Sequence, residues 1–390
     1  MISQKNFQSM KGNGAMAERM RFIMVGGFLG AGKTTLIARL ASLCQQKGLS
    51  VGIVTNDQAA DLVDTQLLRE LGYDVNEVAG SCFCCNFDGL QDAIGRLADG
   101  RRPDVVIAEP VGSCTDLVAT IALPMQDMLG EDFTICPYAV LIKPSHGKRI
   151  LAAAEADGGA ASNRRGGFSP EAAYIFHKQL EEADVLLLNR CDELTESEMT
   201  AIEDVLRRQY PAKPLLRISA RSGTNVDELA ERLLTGQRDS RDLMEVNYDT
   251  YAAGEAELGW LNAAVELTAP QPVAVDALLK SLTTKIQSRC VDADAEIAHL
   301  KVTADCEAGL ALCNLVSNED TPVMTLPSEA KADFLCLTVN ARVAIDPAAL
   351  ETMVMESLSQ ACSAVDASQN VVSVRSFRPG RPVPTHRVTG

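Results

Sequence analysis

The segment GFLGAGKT, residues 27–34, constrains the fold more than any other part of this 390-residue chain. It matches the phosphate-binding pattern G-x-x-x-x-G-K-[ST] and stands between an apolar run, RFIMV, and a helical run, KTTLIARL. The glycines let backbone N–H groups curl around phosphates, Lys33 reaches the β- and γ-phosphates, and the Thr34 hydroxyl is offered to Mg²⁺. The predicted phosphate-binding residues are Gly27, Gly30, Ala31, Gly32, Lys33, Thr34 and Thr35.

Short β-rich runs alternate with helical stretches from Arg21 to about Gly236. Several runs are apolar at consecutive positions, as expected of parallel strands that are covered on both faces. The alternation predicts an α/β fold: a doubly wound, mostly parallel P-loop NTPase sheet. The strand candidates are RFIMVGG, SVGIVTN, DVNEVAG, DVVIAEP, TICPYAVLI, ADVLLLN and PLLRIS.

A second group of elements follows and predicts a smaller α+β C-terminal domain. Its runs read strand, helix, two strands, a longer strand, helix and strand, and Asp346 and Pro347 stand where a helix N-cap and first residue belong. The Gly-, Ala- and Arg-rich segment 152–170 is interpreted as a mobile surface loop. The predicted boundaries are 1–20 for a disordered segment, 21–236 for a P-loop GTPase domain, 237–246 for a linker and 247–390 for the α+β domain.

Composition excludes several classes of protein. The net charge of −16 and the pI near 4.8 argue against a nucleic-acid-binding protein, which normally shows a basic face. No window reaches the roughly 18 apolar residues of a membrane span, and residues 1–20 lack the apolar core of a signal peptide. We therefore expect a cytoplasmic protein, in which the twelve cysteines do not form a disulfide framework and most are small core residues.

The base of the nucleotide is predicted from a later strand. LLLNRCDEL places Asn189 and Asp192 at N-x-x-D spacing, similar to the guanine signature N-K-x-D, with Arg190 in place of the usual lysine. A carboxylate there pairs with two guanine donors that adenine lacks, so the pattern favours GTP over ATP. The segment ISARSG resembles the loop whose backbone contacts the guanine oxygen, and its residues are Ser219, Ala220 and Arg221.

Two acidic segments are candidates for the hydrolysis machinery. DVVIAEPVG ends a buried strand with Glu109 and Gly112, an E-x-x-G variant of the D-x-x-G pattern that serves Mg²⁺ and the γ-phosphate. TNDQAADLVD places Asp57 and Asp64 in the presumed first switch loop, where Asp57 is either a further Mg²⁺ ligand or an Asx-turn or helix-cap residue. No glutamine corresponds to the water-positioning residue of fast GTPases, so we expect slow turnover that a partner raises.

The segment GSCFCCNFDGL crowds three cysteines, Cys82, Cys84 and Cys85, into four positions after a strand and before a helix. Three thiolates and one open position suit Zn²⁺ or another transition metal that is accepted and passed on. We expect the nearby helix start to lower the thiol pKa values. A redox-active vicinal pair and inert small residues at a turn are the alternatives. The cluster lies in chain order between the presumed switch loop and Glu109, so a metal there is predicted to sense the nucleotide state.

GGFLGAGKTT, CFCC, EPVG and NRCD occur in that order, and together they resemble the CobW-type GTPases, relatives of the HypB and UreG metal-insertion chaperones. The resemblance implies a GTP-hydrolysing metallochaperone or metalloenzyme activator that binds metal at the cysteines and serves a client metalloprotein or corrinoid enzyme. Three features depart from the family pattern. Ser81 intervenes between Gly80 and Cys82, Asp57 replaces a switch glutamate, and the histidine-rich loop of some relatives is absent from the sequence.

Two other functions stay open at this point. One is an accessory GTPase that gates a cobalamin-dependent enzyme and has a structural cysteine site, and the other is a redox-sensing NTPase. Tyr248, Tyr251 and Trp260 are interpreted as packing against the linker, and FRPGRPVPTHRV as a solvated extended tail. A homodimer also stays open.

Overall fold

The computed structural model of the chain describes residues 19–57, 63–97, 102–130, 133–151, 169–238 and 240–389. These residues form two compact units. The second unit comprises Ala252–Gly380 and the helix Val63–Glu70, and the first comprises the other described residues, including those that follow Gly380. The predicted disordered segment and the predicted mobile loop lie outside the described residues except for their last two positions, and the predicted domain boundaries stay predictions.

The first unit contains a sheet of eight strands in which every recorded pairing is parallel. The order is β3-β2-β4-β1-β6-β7-β8, and β5 pairs with the start of β1. This arrangement confirms the predicted fold class. The strands are β1 (Met20–Gly27), β2 (Val51–Asp57), β3 (Asp74–Ala79), β4 (Val105–Glu109), β5 (Phe133–Ile135), β6 (Ala139–Ile142), β7 (Val185–Leu188) and β8 (Leu215–Arg217).

The run TICPYAVLI forms two strands, so its prediction as a single strand is wrong. Pro137 lies between β5 and β6, and a proline has no N–H to donate to a neighbouring strand. Both short strands pair with β1, but β5 pairs with its first residues and β6 with its last. All residues of β4, β6 and β7 are buried, as expected of parallel strands with both faces covered.

Helices connect the strands, and several begin at clear sequence signals. Thr195 and Glu198 form a capping box at the start of α6, and Ser169 caps α5, whose first residue is Pro170. Short helical segments also occur at Val118–Ala122, Pro144–His146 and Gly147–Leu151. The helices are α1 (Lys33–Gln46), α2 (Val63–Glu70), α3 (Phe87–Leu97), α4 (Leu123–Leu129), α5 (Pro170–Glu182), α6 (Glu196–Gln209), α7 (Val226–Thr235), α8 (Tyr248–Glu255), α9 (Val275–Asp292) and α10 (Pro347–Ser363).

The second unit is built on an antiparallel sheet in the order β12-β11-β10-β13-β9-β14. Alternate strand residues pack with Leu282 and Ile286 of α9 and Val354 of α10 in one apolar core. Asp346 accepts the Ala348 N–H as predicted for the N-cap of α10. The strands are β9 (Gly259–Ala274), β10 (Ile297–Cys306), β11 (Gly309–Leu315), β12 (Val323–Leu326), β13 (Lys331–Val343) and β14 (Ser368–Phe377).

Helix α2 belongs to the second unit although β2 and β3 of the first unit flank it in the chain. The Val63 N–H donates to the Asn340 side chain at 3.3 Å, and Asp64 forms an ion pair with Lys301 of β10. Asp64 is therefore a structural ion-pair residue of the second unit. Within the described ranges, the helices are all too short or too polar to cross a bilayer.

Candidate functional site

The phosphate-binding segment joins β1 to α1 at the point where the strand order reverses, which is where open α/β sheets bind ligands. Gly27, Gly30 and Gly32 all have positive φ, at 135°, 72° and 98°. A Cβ at Gly32 would lie 2.6 Å from Asn189 Nδ2, and one at Gly27 would lie 2.7 Å from the carbonyl oxygen of Leu141. Gly27 and Gly32 therefore need glycine for both conformation and space, and Gly30 needs it for conformation. Gly32 is the N-cap of α1 and brings no side chain that could occupy an anion site at the helix start.

The residues that the sequence predicts to bind Mg²⁺ and the γ-phosphate lie close together at this segment. Lys33 is buried, and its ammonium donates to the Gly27 carbonyl at 3.0 Å. The Thr34 hydroxyl donates to Glu109 Oε1 at 3.0 Å. A Cβ on Gly112 would lie only 2.9 Å from Lys33 Nζ, so the E-x-x-G segment approaches the lysine more closely than a side chain would allow. Hydroxyl and carboxylate oxygens side by side are the ligands that Mg²⁺ prefers, so the residues present fit this ion.

Asp57 and Thr35 are the remaining residues that the sequence predicts for this site. Asp57 ends β2 opposite Ala79 of β3, and only its backbone belongs to the described part of the chain. Its assignment as a Mg²⁺ ligand therefore stays a prediction. Thr35 is exposed in the first turn of α1.

The predicted base-binding segments meet at Asn189. Its side chain accepts the Ala220 N–H at 2.9 Å and donates to the Ala31 carbonyl at 2.8 Å, so one buried amide joins the base loop to the phosphate loop. Asp192 is exposed in the turn after β7, and Arg190 has a positive φ of 60° and an ion pair to Glu193 at 3.3 Å.

The second base loop, Ser219–Arg221, is held by side chains. The Ser219 hydroxyl accepts the Ser222 N–H at 3.0 Å. Arg39 of α1 donates to the carbonyls of Ala220 at 3.0 Å and Arg221 at 2.8 Å. The sequence does not reveal this role of Arg39, because no motif links a helix-surface arginine to a loop about 180 residues further along the chain.

The three cysteines form a compact triad. The sulfur of Cys82 lies 3.0 Å from that of Cys84 and 3.3 Å from that of Cys85, and the Cys84 and Cys85 sulfurs are 3.7 Å apart. Gly80, with a φ of 90°, starts the turn, and the Cys85 N–H closes it on the Cys82 carbonyl. Cys82 and Cys84 are buried, whereas Cys85 is partly exposed.

The triad fits a single metal ion. All its ligand atoms lie within 4.8 Å of one another, and among the described residues this is the one such group of three or more His, Cys, Asp or Glu. Sulfurs on a tetrahedral zinc, with Zn–S bonds of about 2.3 Å, would be roughly 3.8 Å apart. A small outward movement of the three sulfurs would reach that spacing.

The thiol pKa values differ from the sequence prediction. Hydrogen bonds to Cys114, Cys82 and Cys85, together with burial, raise the pKa of the Cys84 thiol well above its usual value. The hydrogen bond to Cys82 is the largest of the effects that raise the pKa of Cys85. The prediction of lowered values is therefore wrong for these two thiols. The close approach of the sulfurs and their burial raise the thiol pKa values more than the start of α3 lowers them. The sequence did not reveal how tightly the sulfurs pack.

Asn56, next to Asp57 at the end of β2, holds the cysteine turn. Its amide nitrogen donates to the carbonyls of Val78 and Ser81, both at 2.8 Å, and its oxygen accepts the Phe83 N–H at 2.8 Å. These three bonds, all of ordinary length, connect the end of β2 to the backbone on both sides of Cys82.

The segment after Gly112 reaches the triad from the other side. Cys114 hydrogen-bonds to Cys84 through the two thiols. Gln179 of α5 donates to the carbonyls of Gly112 at 3.0 Å and Cys114 at 2.9 Å. Glu182 of the same helix accepts the Thr115 hydroxyl and the Val118 N–H, each at 3.2 Å. The Gly112–Val118 segment, called the linking loop below, thus joins Lys33 to Cys84.

The segment FRPGRPVPTHRV, residues 377–388, contacts the cysteine turn. Its last part lies against the cysteine turn, where Thr385 donates to the Cys84 carbonyl at 2.8 Å. The interpretation of this part as a solvated tail is therefore wrong. Arginine and proline content indicated extension, but nothing local indicated the surface that the extended chain contacts.

Comparison with known proteins identifies a family for the part of the chain that contains the phosphate segment and the cysteine triad. The profile described as CobW/HypB/UreG, nucleotide-binding domain, matches residues 21–217. The chain is 24% identical over 247 residues to the zinc-regulated GTPase metalloprotein activator 1 of Dictyostelium discoideum, covering 58% of this chain and 51% of that protein. It is 26% identical over 224 residues to the zinc chaperone CobW of a Sinorhizobium species, covering 55% and 61% of the two chains. The match thus spans only about half to three fifths of these relatives.

Among solved structures, HypB from Helicobacter pylori in complex with nickel aligns with 62% of this chain and 99% of its own, at 16% identity and a TM-score of 0.41.

Proposed function

The chain belongs to the CobW/HypB/UreG family, and from that premise we propose that it is a GTPase that couples nucleotide state to metal binding at Cys82, Cys84 and Cys85. Members of this family are GTPases that serve metal delivery, and relatives are named zinc chaperones and a urease accessory protein. The cargo that we propose is Zn²⁺, since thiolates select it over harder ions. The proposed role is that of a metallochaperone or activator for a client metalloprotein.

The observation that carries the proposal is the linking loop. Gly112 at its start lies against Lys33, and Cys114 two residues later hydrogen-bonds to Cys84. A change at the γ-phosphate position therefore has a path of only two residues to the metal ligands. Asn56 supplies a second path from the end of β2.

Each predicted site residue has a separate role in the proposed GTPase reaction. Phosphoryl transfer depends on positioning and charge neutralisation, which Lys33 and the α1 N-terminus provide for the phosphates. Thr34 and Glu109 would hold Mg²⁺, which neutralises charge on the β- and γ-phosphate oxygens. Asn189 orders the base loops, and Asp192 is the proposed partner of the guanine N–H donors.

The Lys33 ammonium, which gives one donor to the Gly27 carbonyl, has further donors for the phosphates of bound GTP. A Cβ on Gly112 would lie 2.9 Å from that ammonium, and on this close approach we base the proposal that the linking loop adjusts when the γ-phosphate is bound or lost. The Cys84 sulfur, at the far side of this loop, then changes its distance from the other two sulfurs. This is the step by which hydrolysis would alter metal affinity.

A zinc titration in two nucleotide states tests the proposal. The purified protein is titrated with Zn²⁺ against a competing chelator in the presence of Mg²⁺–GDP or a non-hydrolysable GTP analogue. We expect affinities that differ at least about fivefold between the states, the lower end of allosteric coupling. Equal affinities would contradict the coupling. The triple Cys→Ser variant at positions 82, 84 and 85 should bind nucleotide normally and lose zinc binding.

A further inference from the structure

Residues 381–389, called the strap below, cover the partly exposed side of the cysteine triad. The Val383 N–H donates to the Cys85 sulfur at 3.2 Å. Thr385 donates its N–H to the Cys84 carbonyl at 2.8 Å and its hydroxyl to the Cys85 carbonyl at 3.1 Å. The next residue, His386, places its ring edge-on against Phe87 with centroids 4.9 Å apart. The strap therefore contacts two of the three ligand residues and the start of α3.

The strap is anchored at its far end on a buried carboxylate. Arg387 Nε donates to Asp116 Oδ2 at 2.7 Å, and Tyr248 donates its hydroxyl to the same oxygen at 2.6 Å. Asp116 is only 1% exposed, and its φ of 64° is unusual for a residue other than glycine. The Val388 N–H adds a bond to the Ala119 carbonyl at 2.9 Å. A buried carboxylate is costly without a cationic partner, so the pair with Arg387 is the strongest single tie of the strap.

The anchor lies on the linking loop. Asp116 is two residues beyond Cys114, the thiol partner of Cys84, and four beyond Gly112, the neighbour of Lys33. One loop therefore carries the contact with the phosphate site, the contact with the triad and the attachment of the strap.

We propose that the strap is part of the metal site: it covers the triad, limits exchange of the metal, and is released when the linking loop withdraws Asp116 from Arg387. This inference rests on the proposed function, because it names the element that regulates release of the cargo. Metal passes between proteins by ligand exchange, in which an incoming thiolate or imidazole must reach the ion before the old ligands leave. Cys85 is the most accessible triad member, and the strap lies against its sulfur.

The strap also contributes a hydrogen bond to the ligand set. The Val383 N–H is directed at a sulfur that would carry negative charge when bound to metal, and such outer hydrogen bonds hold a ligand in place. Release of the strap would thus remove both a cover and a stabilising donor.

Two substitutions in the strap and one control test the proposal. Arg387→Gln removes the cation from Asp116, and Val383→Pro removes the N–H donor. Position 383 is flanked by Pro382 and Pro384, so an extended chain accepts a further proline there. Arg241→Gln is the matched control, because it breaks an exposed arginine–carboxylate pair with Asp127 in the same unit.

The first measurement is zinc transfer from each loaded protein to a chromogenic chelator, followed by stopped flow. We expect Arg387→Gln to speed transfer by roughly tenfold or more, since hydrogen bonds to charged groups contribute at that level. Val383→Pro should speed it less, and Arg241→Gln should match the unaltered protein. Unchanged transfer rates in both strap variants would overturn the proposal.

The second measurement needs no metal. Cys85 in the metal-free protein is alkylated with a maleimide, and its modification is followed by peptide mass spectrometry. Release of the strap in Arg387→Gln should raise the rate at Cys85 relative to that at exposed Cys336. If the unaltered protein binds no zinc, the proposed function fails while this assay still decides on the strap. Equal rates in Arg387→Gln and Arg241→Gln would show that the strap does not cover Cys85.

Discussion

The phosphate site and the cysteine triad both follow strands of the same parallel sheet, but they are built in different ways. The phosphate site is largely one continuous segment, in which positive φ at three glycines sets the backbone and Lys33 and Thr34 follow directly. The triad is also continuous, yet three remote segments surround it, through Asn56, Cys114 and Val383. A local motif thus supplies the candidate ligands in both places, whereas contacts distant in sequence surround the three sulfurs.

The first prediction is that GTP binding can be lost while zinc binding in the absence of nucleotide is retained. Lys33→Ala removes the buried ammonium at the phosphates, and we expect GTP affinity to fall by about 3 kcal/mol, roughly a hundredfold or more. Zinc affinity without nucleotide should stay unchanged, because the Lys33 ammonium donates within the phosphate segment, to the Gly27 carbonyl, whereas the proposed zinc ligands are the three cysteine sulfurs. Fluorescent-nucleotide binding and zinc competition on the same preparation measure both quantities.

A loss of zinc affinity in nucleotide-free Lys33→Ala would contradict the separation. It would mean that the lysine holds the linking loop through Gly112 even before nucleotide binds.

The second prediction is the converse of the first. Cys84→Ser replaces the most buried sulfur of the triad by a weaker zinc ligand, and zinc affinity should fall at least roughly tenfold. GTP affinity should not change. Cys336→Ser, at an exposed cysteine of β13, is the control and should leave both affinities unaltered.

Much of the secondary structure of both units could be predicted from sequence because its signals are local. Apolar runs gave the parallel strands, the glycine motif gave the phosphate loop, and Asp346–Pro347 gave the start of α10. Errors occurred where local signals were weak. β12 has four residues with alternating exposure and was missed, and Pro137 divides a run that its apolar residues made look continuous.

The surroundings of the triad could not be predicted, because their determinants lie far away in the chain. Val383 is 298 residues from the sulfur to which it donates, and Arg39 is about 180 residues from the base loop that it holds. The raised pKa of Cys84 has the same origin, since it depends on Cys114 and on burial. Spacing patterns in one sequence describe neighbours along the chain and not such pairs.

The third prediction concerns the transmission between the two sites. Asn56→Asp keeps an acceptor for the Phe83 N–H and removes the donors to Val78 and Ser81. We expect the difference in zinc affinity between the GTP-analogue and GDP states to shrink by about 1 kcal/mol, or roughly fivefold.

Asn76→Asp is the matched control for Asn56→Asp. Asn76 lies on the neighbouring strand β3 and donates to the Ala93 carbonyl, away from the cysteine turn. An equal loss of coupling in both variants would show that general loosening of the sheet, and not the specific bonds of Asn56, transmits the nucleotide state.

The fourth prediction is a pH dependence of the free energy of unfolding that arises at Glu182, which binds the linking loop. Burial raises the pKa of Glu182 to about 8, from a usual value of 4.5. The folded state therefore holds a proton that the unfolded state has released between these values, and the free energy of unfolding must fall as pH rises through this range. From pH 7 to 8 the expected fall is about 1 kcal/mol. Denaturant unfolding of the unaltered protein and Glu182→Gln should show a flatter pH profile in the variant.

The smallest expected effect is the change in GTP affinity when Arg190 is replaced by the lysine of the guanine signature. Arg190 stands where the guanine signature N-K-x-D has lysine, and it has a positive φ of 60° and a partly exposed ion pair with Glu193. Such pairs contribute about 0–1 kcal/mol, and lysine can hold the same contact, so Arg190→Lys should change GTP affinity by less than about threefold. Asn189→Ala, at the buried residue beside it, should cost far more, because it leaves the Ala220 N–H and the Ala31 carbonyl without their partner. Nucleotide titration of the two variants compares them directly, and a large loss in Arg190→Lys would mean that the guanidinium itself binds the nucleotide.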